Sequence, residues 1–579
     1  MWLHQRDTSV RLAPTVTARV GSVRADLTGS PAAQLRPGGS DVSTTPTSQR
    51  GDGPRTTAAQ PPHRYPFLHR SRTPRVRPAT LDRLPMENTT SSPQLKKSLG
   101  VVDGVVLAAS STAATTSIGI GMGVLASITG RQTPLILLLG FLPMLGIASA
   151  YARLNKAEPN CGAGYVWVGR SMGPWLGMIA GWVPLAGGVV FLAYTTSVTG
   201  SVLVQCAHKA GVNSLLGWHL DANSTLQCTL IGLLVLAAVT VTAVTGVHKA
   251  TRLQTYLLVF EYAVLLVFSC WGLIAGDQSF SLSWFSPFAF DSPAALAQGL
   301  VLAVFFYWGW DAAFSVTEET EQAGDAARGS YIALFTMLGL FLLGAVAFQR
   351  VMTASEMSDT GPQGLTYYAS RLADEPWATL PLIALMFSAV ASLQAGIIPT
   401  ARLTLAMSRE RTLGPVWARI SARHGGPTAG TVLVTVISAA VAVLTVLIPK
   451  LNEAILAAVN AIGILVALYY GLTAIACALR FRGLIRTSPG EAVLAVLVPS
   501  VCAVLLFTLG AYLALYYATL SDTFAVSVDN GWFNLLCPTV ILVAGLVVSA
   551  VAKWYRRAPA FTRTTPNVTV PATEADSLS

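Results

Sequence analysis

Apolar residues are concentrated in twelve runs, which are separated by short polar segments along most of the chain. Each run is about 20 residues long, the length that an α-helix needs to cross the hydrocarbon core of a bilayer. Within the runs, polar and apolar residues do not alternate with the period of two that a membrane-spanning β-strand shows. The pattern predicts an all-α integral membrane protein, with spans at 101–128, 134–152, 174–204, 226–246, 254–275, 294–318, 331–351, 377–406, 428–448, 454–479, 491–516 and 534–553.

The sixth run is interrupted near its middle. The segment Phe305–Glu319 reads FFYWGWDAAFSVTEE, which places Gly309 and Asp311 within an otherwise apolar stretch. Irregular backbone at membrane depth is tolerated only where it is buried in protein or lines a cavity, and an acid there is costly. Tyr307–Asp311 is therefore predicted to be a break between two half-helices and part of a binding site. The alternative is a simple kink in which Asp311 caps the second half-helix.

The first run carries a second interruption, which is rich in hydroxyl groups. Six of the eight residues in Ser110–Ser117 are Ser or Thr, whose hydroxyls can satisfy backbone groups where a membrane helix opens. Taken alone, this composition fits close helix packing equally well. The first and sixth runs, however, begin two successive sets of five, and interrupted helices at matching places in two halves indicate a transporter's central site. The odd number of spans in each set makes the two sets an inverted repeat, followed by two extra helices.

The two interruptions together predict a substrate site near mid-membrane. A half-helix that begins near Ser117 would present free N–H groups to a carboxylate, while freed carbonyls and Asp311 would face an ammonium. The aromatic residues at the second break would cover the substrate, close its exit or simply pack between helices. The candidate substrate-binding residues are Ser110, Ser111, Thr112, Thr115, Thr116, Ser117, Phe306, Tyr307, Trp308, Gly309, Trp310 and Asp311.

Four other polar residues inside the apolar runs are candidates for a functional role. Glu261 lies seven residues past Gln254 in the fifth run, hence about 10 Å deep in a helix. A membrane-buried acid suggests a proton carrier, a cation ligand or the partner of a buried base, the alternative being an acid with water access near the cytoplasmic mouth. In the eighth run, Ser388 and Ser392 share a helix face and, with Gln394, are candidate ligands for an ion or substrate. The alternative for all three is ordinary helix packing.

Charged residues gather at the predicted inner ends of the first, sixth and eighth runs. Asp103, Glu318 and Glu319 are acidic, and Arg402 is basic. Their positions predict an inner gate of ion pairs that breaks when the protein opens to the inside. The alternative is that each charge is solvated separately at the end of its helix.

The charge distribution predicts the orientation. With the N-terminus inside, the inner segments after residue 85 hold 20 Lys and Arg residues and the outer segments hold 5, which follows the positive-inside rule. We therefore expect a multi-pass protein of the cell membrane, embedded in the lipid bilayer with both termini in the cytoplasm. The net charge of +10 does not indicate a nucleic-acid partner, because residues 1–85 alone contain 13 Arg and 5 Asp.

Composition supports a membrane protein and gives no indication of an enzyme. The 579 residues are 53% hydrophobic and 11% charged, whereas about a quarter of the residues are charged in a typical soluble domain. All seven His lie outside the predicted spans, and the seven Cys form no CxxC pair. Neither intramembrane His catalysis nor a metal or other cofactor is therefore predicted.

The two ends of the chain lack apolar periodicity. Residues 1–98 begin with a stretch rich in Arg, Pro, Ser and Thr, and this tail is predicted to be disordered, with Met86 as the expected start of translation. Residues 558–579 are predicted to be a disordered cytoplasmic tail. The membrane domain is therefore expected to span 99–557.

Several short motifs resemble those of amino-acid permeases of the amino acid–polyamine–organocation superfamily. The motifs are specific in combination, and the resemblance covers roughly residues 95–560. They are LGVVD at Leu99–Asp103, YARLN at Tyr151–Asn155, PNCGAGYVW at Pro159–Trp167, GPWLG at Gly173–Gly177, FYWGWD at Phe306–Asp311 with Glu318–Thr320, PTAR at Pro399–Arg402 and AMSR at Ala406–Arg409.

This resemblance implies a five-plus-five inverted repeat with two added spans, alternating access, and a substrate held by the broken first and sixth helices. Two features depart from better-known members. Hydroxyls and alanines at Ser110–Ser117 replace a glycine-rich break, and the fifth span has Glu261 and no Lys or Arg, whereas some proton-coupled members carry a basic residue in that span. We expect a secondary transporter for an amino acid or related organic amine, taken up with a proton. The alternatives are an exchanger of amino acids or polyamines, and a membrane-embedded sensor or channel.

Overall fold

The computed structural model describes residues 95, 97–215, 217–290, 292–322, 324–360, 363–421, 423, 425–447, 451–520 and 530–562. The predictions for residues 1–94, including the start at Met86, and for 563–579 fall outside these ranges. The described residues at the inner ends of the two predicted tails are packed against the membrane domain. In the predicted C-terminal tail, Ala558 is buried, and the Phe561 ring contacts Trp175 edge-on, with their centroids 5.5 Å apart. At the other end, the Ser98 N–H donates to the Glu319 carbonyl oxygen at 2.9 Å.

The described chain is helical almost throughout, which confirms the predicted all-α membrane class. Ten helical stretches have the length and composition to cross a membrane, and one of them, Val101–Ala157, is 57 residues long and contains the first two predicted spans. Pro293–Tyr307 is a shorter apolar helix within the predicted sixth span. The inverted repeat of twelve spans stays a prediction.

The helices that form the membrane domain are numbered in chain order. They are α1 (Val101–Thr112), α2 (Ala114–Thr116), α3 (Met122–Thr129), α4 (Thr133–Ala157), α5 (Gly164–Met172), α6 (Pro174–Lys209), α7 (Thr225–Val244), α8 (Val247–Ala275), α9 (Pro293–Tyr307), α10 (Ala312–Ser315), α11 (Asp325–Val351), α12 (Ala354–Thr360), α13 (Gly364–Leu372), α14 (Leu380–Arg409), α15 (Thr428–Thr445), α16 (Leu451–Arg480), α17 (Leu484–Thr487), α18 (Pro489–Ala492), α19 (Val498–Thr519) and α20 (Gly531–Ala550).

Short π- and 3₁₀-turns connect or extend several of these helices, and two short strands pair in the loop between α6 and α7. The π-turns are Ser117–Gly121, Val493–Leu497 and Val551–Tyr555; the 3₁₀-turns are Gly130–Gln132, Leu282–Phe285, Thr317–Glu319, Trp377–Thr379, Pro415–Ala418 and Pro559–Phe561; and the antiparallel strands are β1 (Ser214–Leu215) and β2 (Trp218–His219).

Small residues let the scaffold helices approach closely. A Cβ atom added at Gly200 on α6 would lie 1.8 Å from the Cys228 carbonyl oxygen on α7, and one added at Gly232 on α7 would lie 1.9 Å from the Thr196 carbonyl oxygen. Membrane helices associate through such backbone contacts, since lipid is as apolar as their side chains. The α6 and α7 helices are therefore closely packed against each other.

Candidate functional site

The second interruption is a true break in the helix. Ser292 caps the start of α9 by accepting a hydrogen bond from the Ala295 N–H at 3.1 Å, and α9 ends at Tyr307. Trp308 is extended, with φ −65° and ψ 134°, and Gly309 has φ +120°, a conformation that favours glycine. The break is therefore where the sequence predicted it.

The first interruption is a narrower break at one alanine. Helix α1 ends at Thr112, and Ala113 has φ 51° and ψ 57°, the left-handed region that is uncommon for a residue with a side chain. The next helical turn, α2, begins at Ala114. The predicted start near Ser117 is wrong, because the Ser117 N–H already donates to the Ala113 carbonyl oxygen at 2.8 Å. The first N–H groups after the break belong to α2.

The two breaks touch each other through backbone atoms. A Cβ atom added at Gly309 would lie 2.7 Å from the Ser111 carbonyl carbon, 2.8 Å from its oxygen and 2.9 Å from the Thr112 nitrogen. No side chain fits in this space without moving one helix. Gly309 therefore has two roles: it adopts the positive φ, and it lets the second break lie directly against the first.

Gly309→Ala is expected to lower the thermal midpoint of the purified protein. The strained backbone alone costs on the order of 1–3 kcal/mol, and the added methyl group pushes the two breaks apart. The matched control is Gly339→Ala on α11, where an added Cβ meets nothing within 4 Å. Equal midpoints for both variants would show that the breaks do not need this contact.

Two cavities lie on either side of the contact between the breaks. The inner cavity, on the predicted cytoplasmic side, has a volume of about 100 Å³, and the outer cavity has a volume of about 60 Å³. Ser111, Phe191 and Trp308 line both cavities. The Phe191 and Trp308 rings meet edge-on with centroids 5.6 Å apart, so this aromatic pair lies between the two spaces.

Asp311 is the one charged residue among the described residues that line these two cavities. Its Oδ2 accepts a hydrogen bond from the Tyr469 hydroxyl at 3.3 Å, and that hydroxyl in turn accepts one from the Trp308 Nε1–H at 2.6 Å. The alternative in which Asp311 caps the following half-helix is wrong, because its side chain makes no capping hydrogen bond to α10. The carboxylate instead faces the inner cavity.

The other predicted aromatic residues have different positions. Tyr307 and Trp310 are fully buried in the helix packing, where Trp310 stacks on Tyr470 with centroids 5.5 Å apart. Phe306 reaches the outer cavity and packs against Phe341. Trp308 is therefore the residue of this aromatic group that contacts both cavities.

The hydroxyl residues of the first break divide between the cavities and the protein interior. Ser111 lines both cavities, and Thr112, Thr116 and Ser117 line the outer one. Ser110 and Thr115 are buried, and neither is among the described residues lining the two cavities. The break thus supplies polar groups mainly to the outer cavity.

Glu261 is completely buried beside the first break. Its carboxylate faces the hydroxyls of Thr115 and Ser388. Neither of its oxygens makes a hydrogen bond of standard geometry with a described residue. Ionising an acid in such surroundings costs free energy, and acids buried in a membrane are commonly functional. We therefore expect Glu261 to have a functional role.

The two other candidates on the eighth span, Ser392 and Gln394, have different surroundings. Ser392 lines the outer cavity, and its hydroxyl donates to the Ser388 carbonyl oxygen at 2.6 Å. Gln394 points away from both cavities and donates from Nε2 to the Thr242 hydroxyl on α7 at 2.6 Å. Gln394 is therefore a helix-packing residue in this structure, which is the alternative that its sequence left open.

The predicted inner charges form two ion pairs, without Asp103. Arg402 Nε lies 2.5 Å from Glu319 Oε1, and the two side chains are only 5% and 4% exposed. Glu318 pairs with Arg409 at 2.8 Å and also accepts from the Cys161 N–H at 3.0 Å. Grouping Asp103 with these pairs is wrong. It accepts from the Gly100 N–H at 3.0 Å and the Thr251 hydroxyl at 2.7 Å, so it fixes the start of α1.

Three residues that line the inner cavity were not among the site residues predicted from the sequence. Phe191, Tyr469 and Thr400 line the inner cavity from the third, tenth and eighth spans. Each lies in an ordinary apolar run, and only packing against the breaks distinguishes it from a core residue. Two indications were available in the sequence: the adjacent tyrosines Tyr469 and Tyr470, in a run otherwise poor in polar groups, and the PTAR motif, which contains Thr400.

Two broken helices that contact each other at their breaks, with a cavity on each side, are the arrangement expected of a membrane transport protein. Comparison with known proteins agrees: the sequence model of the amino acid permease family matches residues 105–543, and the chain belongs to this family. Uncharacterized transporters of Mycobacterium tuberculosis and Mycobacterium bovis are each 26% identical over 383 residues, which cover 62% of this chain and 77% of the relative. The chain is therefore a transporter and not an enzyme.

Proposed function

We propose that this permease is a secondary transporter that takes up an amino acid or a related organic amine across the cell membrane, with both termini in the cytoplasm. The observation that carries the proposal is the contact between the two breaks, with the Asp311 carboxylate facing the adjoining inner cavity.

The charge of the site favours a substrate with an ammonium group. Asp311 can neutralise an ammonium, and no Lys or Arg is among the described residues that line either cavity. A substrate carboxylate would instead be held by the N–H groups at the start of the helical turn after Ala113, where the helix dipole is positive. Because α2 is short, this contact is the weaker of the two, and Asp311 dominates binding.

Alternating access requires a barrier on each side of the substrate. The Phe191–Trp308 pair separates the two cavities, and the Trp308 indole is held through Tyr469 to Asp311. An ammonium that binds Asp311 competes with the Tyr469 hydroxyl, so substrate binding loosens the bond that holds Trp308. The buried Arg402–Glu319 pair closes the inner end and must separate for release to the cytoplasm.

Glu261 is the proposed proton carrier. It lies outside both cavities, so substrate and proton occupy different places. Its carboxylate faces Thr115 of the first break, and its charge therefore acts directly on the helix that has to move. Protonation removes the cost of a buried charge, which permits the conformation described above.

The test is uptake of radiolabelled amino acids and small amines into proteoliposomes, with and without an inward proton gradient and with or without sodium. Gradient-stimulated uptake of one chemical class is expected, and protein-free liposomes are the control. Flux only against preloaded substrate would make the protein an exchanger. Sodium dependence without proton dependence would contradict the role given to Glu261.

A further inference from the structure

A column of polar side chains leads from Glu261 towards the predicted cytoplasmic end of the protein. Thr251, Gln254 and Glu261 are spaced by three and then seven residues on α8, so they share one face of that helix. All three are completely buried. Residues of α1, α2 and α14 complete this polar column, whose members are Asp103, Ser110, Thr115, Thr251, Gln254, Glu261 and Ser388.

The cytoplasmic end of the polar column is the Asp103 carboxylate. Its Oδ1 accepts a hydrogen bond from the Thr251 hydroxyl at 2.7 Å and lies 4.0 Å from His248 Nδ1. Its Oδ2 accepts from the Gly100 N–H at 3.0 Å. The Asp103 side chain is 21% exposed and that of His248 is 47% exposed. Asp103 is therefore the point at which the polar column reaches cytoplasmic water.

The middle of the column is formed by Gln254, one helical turn deeper than Thr251. Its Nε2–H donates to the Ala391 carbonyl oxygen on α14 at 3.3 Å, and its Oε1 has no hydrogen-bond partner in the described chain. The buried hydroxyl of Ser110 also lacks one there, and Ser110 lies two turns beyond Asp103 on the same face of α1. Buried polar atoms of this kind commonly bind ordered water.

The inner end of the column is the Glu261 carboxylate, which faces the hydroxyls of Thr115 and Ser388. Both hydroxyls are buried, and neither makes a hydrogen bond of standard geometry with a described residue. The titratable neighbour of Glu261 on α8 is Tyr262, but its hydroxyl donates to Met337 Sδ on α11 at 3.6 Å. The polar groups next to Glu261 therefore belong to the column.

The interval between Gln254 and Glu261 is short at the ends of their side chains. On α14, Gln254 bonds to Ala391. Glu261 faces Ser388, which lies three residues before Ala391, about 4.5 Å along the helix axis. The buried side chain of Leu258 lies between them on the same face of α8, so this interval is the apolar step that a proton has to pass.

We propose that the polar column is the route by which Glu261 releases the coupling proton to the cytoplasm. The Glu261 carboxylic acid gives its proton to water bound at Gln254 and is left as a carboxylate. The Thr251 hydroxyl accepts a proton from that water while it gives its own to Asp103, which passes the proton on to cytoplasmic water. Gln254 and Thr251 are thus positioning residues. The inference rests on the proposed role of Glu261 as proton carrier.

The experiment compares two rates in proteoliposomes, with the labelled compound that is taken up fastest in the uptake panel. One is net uptake driven by an inward proton gradient, and the other is exchange at equal pH, which needs no proton release. Gln254→Leu and Thr251→Val should slow net uptake about tenfold or more, because hydrogen bonds are lost along the path of the proton, and should leave exchange unchanged.

Two matched variants serve as controls. Thr251→Ser keeps a hydroxyl at the same position and should restore net uptake to the wild-type rate. Thr255→Val removes a hydroxyl from the same helix, but that hydroxyl donates to the Thr251 carbonyl oxygen at 2.8 Å, so net uptake should not change. The Thr251 pair of variants decides the question even if Gln254→Leu does not fold.

The final accumulation of substrate separates the route from the carrier. A slower route delays accumulation without changing its end point, whereas Glu261→Gln is expected to abolish accumulation. If Glu261→Gln does so but the route variants take up substrate as fast as Thr255→Val, the route is wrong and the carrier stands. Equal losses of net uptake and exchange in Thr251→Val would show a structural role and also overturn the inference. Full accumulation in Glu261→Gln would instead refute the carrier.

Discussion

Replacing Asp311 with asparagine is expected to lower the kcat/KM of uptake by about 10- to 100-fold, the effect of losing a charge-assisted hydrogen bond to a substrate ammonium. The amide has the same shape and can still accept from the Tyr469 hydroxyl, which lies 3.3 Å from Oδ2. The loss should therefore reflect the missing charge and not a collapsed site. Initial rates in proteoliposomes, corrected for the amount of inserted protein, give the measurement.

The control for this variant is Ser315→Ala. Ser315 also lines the inner cavity, but its hydroxyl is already used by the Ala312 carbonyl oxygen at 2.6 Å. Its loss should change uptake less than about threefold, since a bond within the helix contributes only about 1 kcal/mol of stability. If Asp311→Asn takes up substrate as fast as Ser315→Ala, the carboxylate has no part in binding.

The sequence predicted those parts of the site in which a residue type is energetically unfavourable within a membrane-spanning helix. One apolar run contains a glycine and an acid, and another contains a cluster of hydroxyls. Such residues are rare in a helix that faces lipid, because irregular backbone and polar groups are costly in hydrocarbon. They therefore predicted both breaks. The same physical argument identified Glu261, which is fully buried in the structure. These signals are local, so they can be read without knowing which helices are neighbours.

The rest of the site depends on which helices meet. Phe191 and Tyr469 are unremarkable in their own apolar runs and become site residues only because α6 and α16 pack beside the breaks. Gln394 looked equally suitable from its sequence, but its amide faces α7. Asp103 was grouped with the inner ion pairs because it lies near the end of its helix. In the structure its carboxylate instead accepts a hydrogen bond from the Gly100 N–H at the start of the same helix, a contact that needs no distant partner.

Asp311 and Glu261 differ in what their surroundings allow. Asp311 faces a cavity and a tyrosine hydroxyl, so a substrate can reach it. Glu261 lines neither of the two cavities around the breaks, and it faces two hydroxyls that belong to different helices. A mobile proton can reach such a position more easily than an organic ion. This difference is why the two acids are given different roles.

Glu261→Gln is expected to abolish the stimulation of uptake by an inward proton gradient. Glutamine resembles the protonated acid but cannot release a proton, so the gradient no longer drives the cycle. In a one-to-one symporter of a neutral zwitterion, each pH unit across the membrane supports about tenfold accumulation, since one unit corresponds to about 1.4 kcal/mol. In the variant, accumulation should fall towards the equilibrium ratio of one, and uptake should become nearly independent of external pH.

Exchange of labelled for unlabelled substrate at equal pH separates loss of coupling from loss of folding. It should persist in Glu261→Gln, because exchange needs only the substrate site and its alternating access. Glu491→Gln is the matched control, since Glu491 pairs with Arg153 at the surface at 2.7 Å, and such pairs contribute little. If Glu261→Gln retains full proton-driven accumulation, Glu261 does not carry the coupling proton, and Asp311, the acid that lines the inner cavity, is the next residue to test.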